Sequence, residues 1–375
     1  MKLLKVQVDG HTFFERDHFE MTFIATDRVS DEWEVYPLYG SIYTKTIMAL
    51  CGVNASGKTA ALEVLRAVTH IFINGASIRH FMDMNRYREQ VQFSLHLIHE
   101  GRIYELTSTV MKEGQKWKFG EEVLKSKPQS RGKSRTSIFL FSEDDLVMRR
   151  STEDTRFLPD DISMMTSLLK TSETEAFDHM QYTEQNVLAV MGDIPEKFTQ
   201  LLDPSIEYIR NDQRQDGHIC IKFMGREEIT IDQDDLQLYL SSGTVKGLNF
   251  LGFGFLALQT GGYFIVDEIE NHFHKAIVEI LLGFFADPSV NVHGAALIFS
   301  THYVEILESL ERKDHIYITR KNQSGITIGH LSNENVRNDM KKSDLFLTNK
   351  LKGTAPSYDR YIALKEQVKR GLKSS

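Results

Sequence analysis

The sequence predicts an α/β fold in which a mixed β-sheet is flanked by helices, and two stretches of the chain carry this prediction. The first is the apolar run 47–50, which leads into GVNASGKT at 52–59 and then into a helix-like segment at 60–71. A strand, a glycine-rich loop and a helix in this order are typical of α/β proteins that bind phosphates. The second is YFIV at 263–266, which ends in two acidic residues. Such a run is typical of a buried parallel strand whose carboxyl end lies at a ligand-binding edge.

The composition is that of a globular protein with a substantial core. The chain has 375 residues, 41% of them hydrophobic, and a net charge of −8. Bulk charge therefore does not predict binding to a polyanion, and any nucleic-acid contact would need a local basic patch. Cys51 and Cys220 are too few and too far apart for a disulfide framework or a zinc site, which suits a reducing compartment. We find no signal-peptide pattern and no membrane-spanning run, so we predict a cytoplasmic protein.

The segment 52–59 fits the phosphate-loop pattern G-x-x-x-x-G-K-[ST]. Its glycines let consecutive N–H groups point into one hollow at a helix N-terminus, where a polyphosphate can bind. Lys58 can reach the β and γ phosphates of a nucleotide, and the Thr59 hydroxyl can ligate Mg²⁺. The predicted nucleotide-binding residues of the loop are Gly52, Asn54, Ala55, Ser56, Gly57, Lys58 and Thr59.

The N-terminal region predicts mainly antiparallel strands. Strand candidates lie at 2–8 and 19–24, and the runs 91–98 and 102–110 predict a hairpin with a glycine turn. Three tyrosines precede the phosphate loop, and one of them could stack on an adenine ring, although packing in a β-loop is the favoured interpretation. They are Tyr36, Tyr39 and Tyr43.

The middle of the chain predicts an insertion between two halves of a site. The run 121–135 contains five basic residues without interleaved aromatics, and we predict a mobile basic loop there. Such loops are usually solvated, and contact with a nucleic-acid backbone is the alternative. From 158 to about 202 the apolar pattern becomes helical, which predicts an arm or lid. Strand candidates return at 206–209, 218–223 and 228–231.

The acidic pair after 263–266 predicts hydrolytic chemistry. Asp267 would hold Mg²⁺ through water, and Glu268 would orient and deprotonate an attacking water. A strand that ends in acids is common by itself. Together with the intact phosphate loop upstream, the acidic pair becomes a specific signal of a nucleotide site.

Two further segments flank this strand. Ser241, Ser242 and Gly243 precede a helix-like run, and this turn is either another anion cradle or a simple helix N-cap. The apolar run 295–299 leads to His302, which is either a structural histidine or a contact to the γ phosphate. Its order in the chain favours the phosphate contact.

Taken in order, these motifs resemble the ABC ATPase superfamily, and specifically its SMC/RecF/OLD-like branch. The segments GVNASGKT, LYLSSGT, FIVDEIENHFH and IFSTHYVEIL are similar to those of the bacterial AAA-15 ATPases of abortive-infection and other antiphage systems. The resemblance extends from the N-terminal strands to about residue 328. It implies an ABC ATPase head, with N-terminal antiparallel strands and an inserted helical arm or lid, that uses ATP and Mg²⁺.

The resemblance also implies a head-to-tail homodimer or higher oligomer that encloses two ATP molecules. Ser241 and Gly243 of one subunit would close over the γ phosphate held by Lys58 of the other. His272 and His274 would then lie at the subunit junction and serve as interface residues and not as a metal site. This superfamily places a metal-contacting glutamine after the phosphate loop; Gln90 and Gln92 are candidates, and Gln92 is included in the predicted metal site.

Two differences from related families reduce the number of possible functions. Ser242 and Thr244 differ from the transporter form L-S-G-G-Q, and the chain has no membrane-coupling features, which argues against a transporter subunit. OLD-type nucleases append a metal-dependent domain after the ATPase. Here the residues after His302 predict strands at 315–319 and 326–328 and a helix near 358–372, without an acidic constellation for a two-metal nuclease.

We therefore predict an ATPase that assembles around ATP and controls a separate effector or toxin, in an antiphage system. The alternatives are a repair or recombination ATPase that clamps DNA or contacts RNA, and a scaffold in which ATP is a structural ligand. The predicted regions are an N-terminal lobe at 1–120, a basic loop and helical arm at 121–204, a C-terminal lobe at 205–330 and a basic tail at 331–375.

Overall fold

The computed structural model describes residues 1–83, 85–132, 134–151, 158–180, 188, 195–212, 215, 217–271, 275–334, 341–347, 351 and 358–373. The predictions for His272 and His274, and most of those for 181–194, lie outside the described residues. None of the described helices is long and apolar enough to cross a membrane.

Strands make up much of the described chain, and the helices fall mainly in its second half. The strands are β1 (Lys2–His11), β2 (His18–Thr22), β3 (Val35–Tyr39), β4 (Ile42–Lys45), β5 (Ile47–Cys51), β6 (Tyr87–His99), β7 (Arg102–Glu113), β8 (Lys116–Pro128), β9 (Leu146–Arg150), β10 (Ala176–Asp178), β11 (Ile206–Asn211), β12 (His218–Phe223), β13 (Ile229–Asp232), β14 (Tyr263–Val266), β15 (Ala296–Thr301), β16 (Ile316–Asn322) and β17 (Gly325–His330). The helices are α1 (Lys58–Phe72), α2 (Met165–Leu168), α3 (Glu196–Leu202), α4 (Ser242–Thr260), α5 (Lys275–Ala286), α6 (Val304–Glu308), α7 (Lys342–Leu347) and α8 (Tyr358–Lys373). Short 3-10 helices lie at Glu15–Asp17, Ile78–His80, Gln129–Arg131, Ser137–Phe139, Glu143–Asp145, Leu169–Thr171, Gln233–Leu238, Lys313–His315 and Leu331–Asn333.

A largely parallel sheet forms the centre of the molecule, in the order β10-β14-β15-β5-β16-β17. All neighbours in it are parallel except β17, which returns antiparallel to β16. Strands β5 and β14 are buried along their whole length, as their uninterrupted apolar runs predict. The mixed α/β fold predicted from the sequence is confirmed.

Helices cover both faces of this sheet, because alternate side chains of each strand point to opposite sides. On one face, Met48 and Leu50 pack with α1 and with the antiparallel sheet. On the other, Ile47, Ala49 and Cys51 pack with α4 and α5. The strand before the phosphate loop is therefore held between two apolar cores.

The second large sheet is antiparallel, in the order β2-β1-β6-β7-β8-β9. The predicted hairpin is β6–β7, in which His99 pairs with Arg102 across Glu100 and Gly101. Both turn residues have positive φ, 46° and 73°, as a tight two-residue hairpin turn requires. A smaller sheet of β11, β12 and β13 packs its apolar face on the first half of α4. These strands confirm the three candidates between 206 and 231.

The basic loop predicted at 121–135 is wrong, because most of this run belongs to β8 and is paired with β7 and β9. The basic residues of this run that the structure describes have partners within the chain. The Lys127 ammonium donates to the carbonyl oxygens of Ser137 at 2.7 Å and Leu140 at 2.5 Å. Lys125 pairs with Glu143, Arg131 pairs with Asp145, and Arg135 donates to the carbonyls of Thr26 and Asp27. These residues look loop-like in sequence because their charge partners lie in other segments of the chain, and a local sequence pattern does not show such pairs.

The helical arm predicted from 158 to about 202 also needs correction. In its described part, the single turn α2, a 3-10 turn, β10 and the short helix α3 replace a continuous helical arm. Strand β10 pairs in parallel with β14 and completes the edge of the central sheet. The helix-like spacing of Met164, Met165 and Leu169 is satisfied by the single turn of α2 and the 3-10 turn after it, where these side chains are buried in the core beside α1.

Candidate functional site

The phosphate loop connects β5 to α1, and its backbone depends on glycine. Gly57 lies immediately before α1 at φ +107°, and a Cβ there would meet the Ile326 side chain at 2.5 Å. A Cβ on Gly52 would lie 2.5 Å from both the Ser56 hydroxyl and the Thr319 carbonyl oxygen. Larger residues at either position would therefore displace the loop from β16 or β17.

Lys58, the first residue of α1, folds back over the loop. Its Nζ donates to the carbonyl oxygens of Gly52 at 3.0 Å and Val53 at 3.3 Å. Burial lowers the pKa of this ammonium, and the nearby Asp267 and Glu268 carboxylates act in the opposite direction. The loop thus holds a cation where phosphate oxygens would lie.

A pair of oxygen ligands lies beside the loop. The Thr59 hydroxyl donates to Asp267 Oδ2 at 2.7 Å, and the Ser300 hydroxyl donates to the other carboxylate oxygen of Asp267. The pair forms because β14 and β5 flank β15 and end at the same edge of the sheet. Hydroxyl and carboxylate oxygens are the ligands that Mg²⁺ prefers.

Glu268 follows Asp267 in a left-handed backbone conformation, with φ 49°. Its N–H donates to the Ser300 hydroxyl oxygen at 2.7 Å, which stabilises this conformation. Its two carboxylate oxygens have different partners: Oε1 lies 3.1 Å from His302 Nε2, and Oε2 accepts from the Asn271 amide. Backbone strain of this kind concentrates at functional sites.

His302 links the two halves of the site. Its Nδ1 lies 3.2 Å from Lys58 Nζ, while its Nε2 contacts Glu268. An ammonium can only donate, so this arrangement assigns the neutral tautomer in which Nδ1 accepts and Nε2–H donates. The structure therefore brings Lys58, Thr59, Asp267, Glu268 and His302 together at one edge of the parallel sheet.

Ser241, Ser242 and Gly243 lie elsewhere on the molecule, exposed at the start of α4. Ser241 is the helix N-cap, and its Oγ accepts from the Thr244 N–H at 3.1 Å. Helix α4 leads through two glycines into β14 and packs on it, so its N-terminus points toward the edge at which β14 ends. The predicted role of Ser241, Ser242 and Gly243 is to contact ATP held by a second subunit. No contact within a single chain tests this prediction.

Gln90 and Gln92 are not brought to the loop. Both are exposed on β6. Their neighbours Val91 and Phe93 face the core beside α1. The glutamine side chains therefore project from the opposite face of the sheet, because side chains alternate along a strand.

Two of the three tyrosines before the loop, Tyr36 and Tyr39, pack elsewhere. The Tyr36 ring lies against Gly294, before the start of β15, and the Tyr39 hydroxyl donates to the Gly132 carbonyl oxygen at 2.8 Å. Because the parallel strands begin at the edge opposite the phosphate loop, Tyr36 is remote from that loop.

Three residues of the site were missed in the sequence. Ser300 contacts both acidic residues, and the side chain of Thr319 lies 2.7 Å from the Ser56 hydroxyl. Glu270 accepts from the His302 N–H at 2.6 Å. Small hydroxyl residues at the ends of β15 and in β16 were the available signal, but strand pairing was needed to place them beside the loop.

A cleft of about 270 Å³ opens beside α1 and is bordered by Glu63 and Arg66 of that helix. The exposed ring of Phe13 lies 5.7 Å from the guanidinium of Arg86, which is one of the residues that line this cleft. The Phe13 carbonyl accepts from the Ile326 N–H at 2.8 Å, and the Ile326 side chain covers Gly57. The residue that carries this exposed ring is thus linked through Ile326 to the phosphate loop, a connection that sequence analysis had not predicted.

Comparison with known families identifies the chain. A family model described as "AAA domain, putative AbiEii toxin, Type IV TA system" matches residues 47–308, well over half of the chain. The chain belongs to this family. The matched span runs from β5 through the phosphate loop, α4 and the acidic residues after β14 to the end of α6.

The other comparisons add little at the level of sequence. No curated protein matches the chain. Among solved structures, the SMC head domain from Thermotoga maritima is similar over 88% of this chain and 99% of that chain, with 14% identity and a TM-score of 0.43.

As an AAA domain, the chain is a phosphate-loop ATPase of the AAA type, a class that uses ATP with Mg²⁺. The residues present fit these ligands. Lys58 supplies a cation for phosphate oxygens, and Thr59 and Asp267 supply oxygen ligands for the metal. Among the described residues, no group of three or more His, Cys, Asp or Glu side chains could hold a metal ion. A metal at this site would therefore share its coordination with the nucleotide and water.

Proposed function

We propose that this chain binds ATP with Mg²⁺ and hydrolyses it to ADP and phosphate. The observation that carries the proposal is the hydrogen-bonded series Lys58, His302 and Glu268 beside the Thr59–Asp267 pair. Because these groups lie together at one edge of the sheet, the series supports Lys58 as a phosphate-binding cation, His302 as a switch histidine, Glu268 as a carboxylate base, and Thr59 and Asp267 as metal ligands. The loop residues proposed to bind the nucleotide are Gly52, Asn54, Ala55, Ser56, Gly57, Lys58 and Thr59.

Each residue then has a chemical role. Lys58 exchanges the carbonyls of Gly52 and Val53 for phosphate oxygens and neutralises their charge. Glu268, with its side chain 40% exposed, orients a water and takes its proton. His302 holds the Glu268 carboxylate and contacts the γ phosphate. Mg²⁺ supplies further charge neutralisation on the phosphate oxygens.

Phe13 is our candidate for stacking on the base. It is 43% exposed and contacts Arg86, a residue of the cleft that borders α1, whereas Tyr36 and Tyr39 pack at other positions. Stacking of an aromatic ring on a base contributes about 1–3 kcal/mol. Phe13→Ala should weaken ATP binding at least several-fold.

We further propose that two chains enclose ATP head to tail. Ser241, Ser242 and Gly243 are exposed, and the start of α4 presents the positive end of a helix dipole. Such a turn suits the γ phosphate held by Lys58 of the partner subunit. Binding of ATP would favour the closed assembly, and hydrolysis would remove that bias.

The assembly would control a separate effector in an antiphage system. The family description, which names a toxin and a type IV toxin–antitoxin system, supports this role. Phage plating on cells that express the chain with its neighbouring reading frame tests it. Protection that is lost with Lys58→Ala would support the role, and equal plating of all strains would contradict it.

The alternative of a DNA-clamping ATPase has less support. The basic run 121–135 was its main sequence feature, and Lys125, Lys127, Arg131 and Arg135 have partners within the chain. Duplex binding that requires ATP and weakens steeply with salt would favour this alternative.

Binding of labelled ATP and phosphate release by the purified chain test the enzymatic proposal directly. We expect Lys58→Ala to abolish binding, because no other side chain of the loop supplies a cation. Trp33→Ala, an exposed aromatic on the loop before β3, is the control for Phe13→Ala. Wild-type protein that neither binds ATP nor releases phosphate would overturn the proposal.

A further inference from the structure

Glu270 lies two residues after the proposed base and makes a contact of its own. One carboxylate oxygen, Oε1, accepts from the His302 backbone N–H at 2.6 Å. A hydrogen bond from an N–H to a carboxylate is short and roughly twice as strong as one between neutral groups. Glu270 therefore binds the main chain of the histidine whose ring contacts Lys58 and Glu268.

The turn that carries Glu270 is itself fixed to β15. The Glu268 N–H donates to the Ser300 hydroxyl at 2.7 Å, and the Ile269 N–H donates to the Ser300 carbonyl oxygen at 3.0 Å. The Ile269 side chain is completely buried in the core beneath α4 and α5. The Asn271 N–H closes the turn on the Glu268 carbonyl at 2.8 Å. Glu270 is thus a fixed support and can orient a neighbouring segment.

His302 needs such support because it lies between two elements. Strand β15 ends at Thr301, and α6, a short helix without a side-chain cap, begins at Val304. The His302 ring must remain 3.2 Å from Lys58 on one side and 3.1 Å from Glu268 on the other. A backbone shift of about 1 Å would lengthen one of these contacts beyond hydrogen-bonding range.

The surroundings of their carboxylate oxygens distinguish the two glutamates. The Glu268 side chain is 40% exposed, so water can reach its carboxylate. The second oxygen of Glu270, Oε2, is buried and has no hydrogen-bond partner among the described residues. Glu270 is therefore poorly placed to take a proton from an attacking water, although it has the same chemistry as Glu268.

We propose that Glu270 is a positioning residue for ATP hydrolysis, which holds the His302 main chain so that the imidazole reaches Lys58 and Glu268 together. The inference rests on the proposed ATPase function. It concerns the turnover step, since Glu270 contacts neither the phosphate loop nor the Thr59–Asp267 pair in any described hydrogen bond.

A double-mutant cycle on ATP turnover tests this role. We expect Glu270→Ala to lower kcat on the order of tenfold to a hundredfold, with little change in KM for ATP. Glu270→Gln, which keeps an acceptor oxygen, should recover most of the loss. His302→Ala and the double variant Glu270→Ala/His302→Ala should have similar rates, because Glu270 acts only through His302.

Three results would overturn the inference. If Glu270→Gln hydrolyses ATP as slowly as Glu268→Gln, Glu270 acts as a base. If the rate losses of Glu270→Ala and His302→Ala multiply in the double variant, Glu270 acts independently of His302. Wild-type rates of ATP hydrolysis for Glu270→Ala would show that Glu270 has no role in turnover. A wild-type chain without turnover would instead contradict the ATPase proposal, so the two failures are distinguishable. Thermal unfolding of each variant shows whether a rate loss is due to misfolding.

Discussion

Glu268 combines a strained backbone with two engaged carboxylate oxygens, which makes its substitution informative. We predict that Glu268→Gln binds ATP as tightly as the wild type but hydrolyses it at least a hundredfold more slowly, because the amide cannot accept the proton of water. If the γ phosphate holds two chains closed around ATP, the Glu268→Gln variant accumulates as the closed assembly when ATP is present.

Light scattering after size-exclusion chromatography measures that assembly, and phosphate release measures the rate. Lys58→Ala is the matched control, since it should show neither ATP binding nor assembly. A Glu268→Gln protein that stays monomeric with ATP would contradict the assembly model. One that hydrolyses ATP at the normal rate would exclude Glu268 as the base.

At the scale of elements, β16 supports the phosphate loop through one side chain. Thr319 is completely buried, and its Oγ1 lies 2.7 Å from the Ser56 hydroxyl and donates to the Cys51 carbonyl at 3.2 Å. Thr319→Val keeps the shape and removes both contacts. We predict a loss of about 1–3 kcal/mol in the free energy of unfolding and weaker ATP binding, because buried polar groups of the loop lose their partner.

Denaturant unfolding and ATP titration check the Thr319→Val prediction. Thr327→Val is the control, because the Thr327 hydroxyl in β17 makes a long, 3.5 Å contact to the Arg320 carbonyl oxygen. Equal stability and affinity for the two variants would show that β16 does not support the loop.

The start of α4 permits a second prediction at this scale. A Cβ on Gly243 would have only the Ser241 hydroxyl within 4 Å, at 3.7 Å, so a side chain fits without strain in the single chain. We predict that Gly243→Glu leaves the free energy of unfolding within about 0.5 kcal/mol of wild type but abolishes assembly with ATP. A glutamate there would repel the γ phosphate of the partner subunit's nucleotide.

Gly225→Glu is the matched control for Gly243→Glu, because Gly225 also has open space around it, although its φ of +69° adds local strain. Unchanged assembly of Gly243→Glu would place the start of α4 outside the nucleotide interface. The proposed head-to-tail arrangement would then be wrong even if the chain hydrolyses ATP.

At the scale of the whole molecule, a buried polar cluster joins the N-terminal strands to the second half of the chain. Lys45 is completely buried and donates to the Tyr317 hydroxyl at 2.9 Å. Asp314 accepts from the N–H groups of Thr26 and Asp27, at 2.6 and 2.9 Å, and pairs with Arg312. Residues nearly 300 positions apart therefore depend on one another for their hydrogen bonds.

This cluster predicts a pH dependence of stability. Burial lowers the pKa of Lys45 to about 7, and the nearby Asp314 carboxylate opposes the shift. Between pH 7 and about 10.5 the unfolded chain binds a proton at this lysine that the folded chain does not, so the free energy of unfolding should rise with pH. The slope from one such group is at most about 1.4 kcal/mol per pH unit.

Denaturant unfolding at several pH values measures this slope. Lys45→Met should reduce it, and Lys321→Met, at the exposed end of β16, should leave it unchanged. Burial lowers the pKa of Lys2 to about 7 as well, so part of the slope should remain. A slope unaffected by Lys45→Met would show that Lys45 remains protonated when folded.

Much of the site could be predicted from the chain alone, because short-range patterns encode it. The phosphate loop 52–59 is specified by glycines that permit its backbone and by the lysine and threonine that follow them. Four apolar residues before two acids specify β14 and its carboxylates in the same way. Each depends on neighbours within a few residues, so no knowledge of the fold was needed.

Tertiary structure alone decided which distant groups meet. Strand order brings Ser300 to Asp267 and Glu268, carries Thr319 to Ser56, and turns Gln92 away from the loop. It also makes most of the basic run 121–135 a paired strand, whose backbone pairs with β7 and β9, while Lys125 and Arg131 pair with Glu143 and Asp145 in the turn before β9. Local sequence specifies backbone propensity and chemical type, whereas register and charge pairing arise from contacts between segments that are remote in the chain.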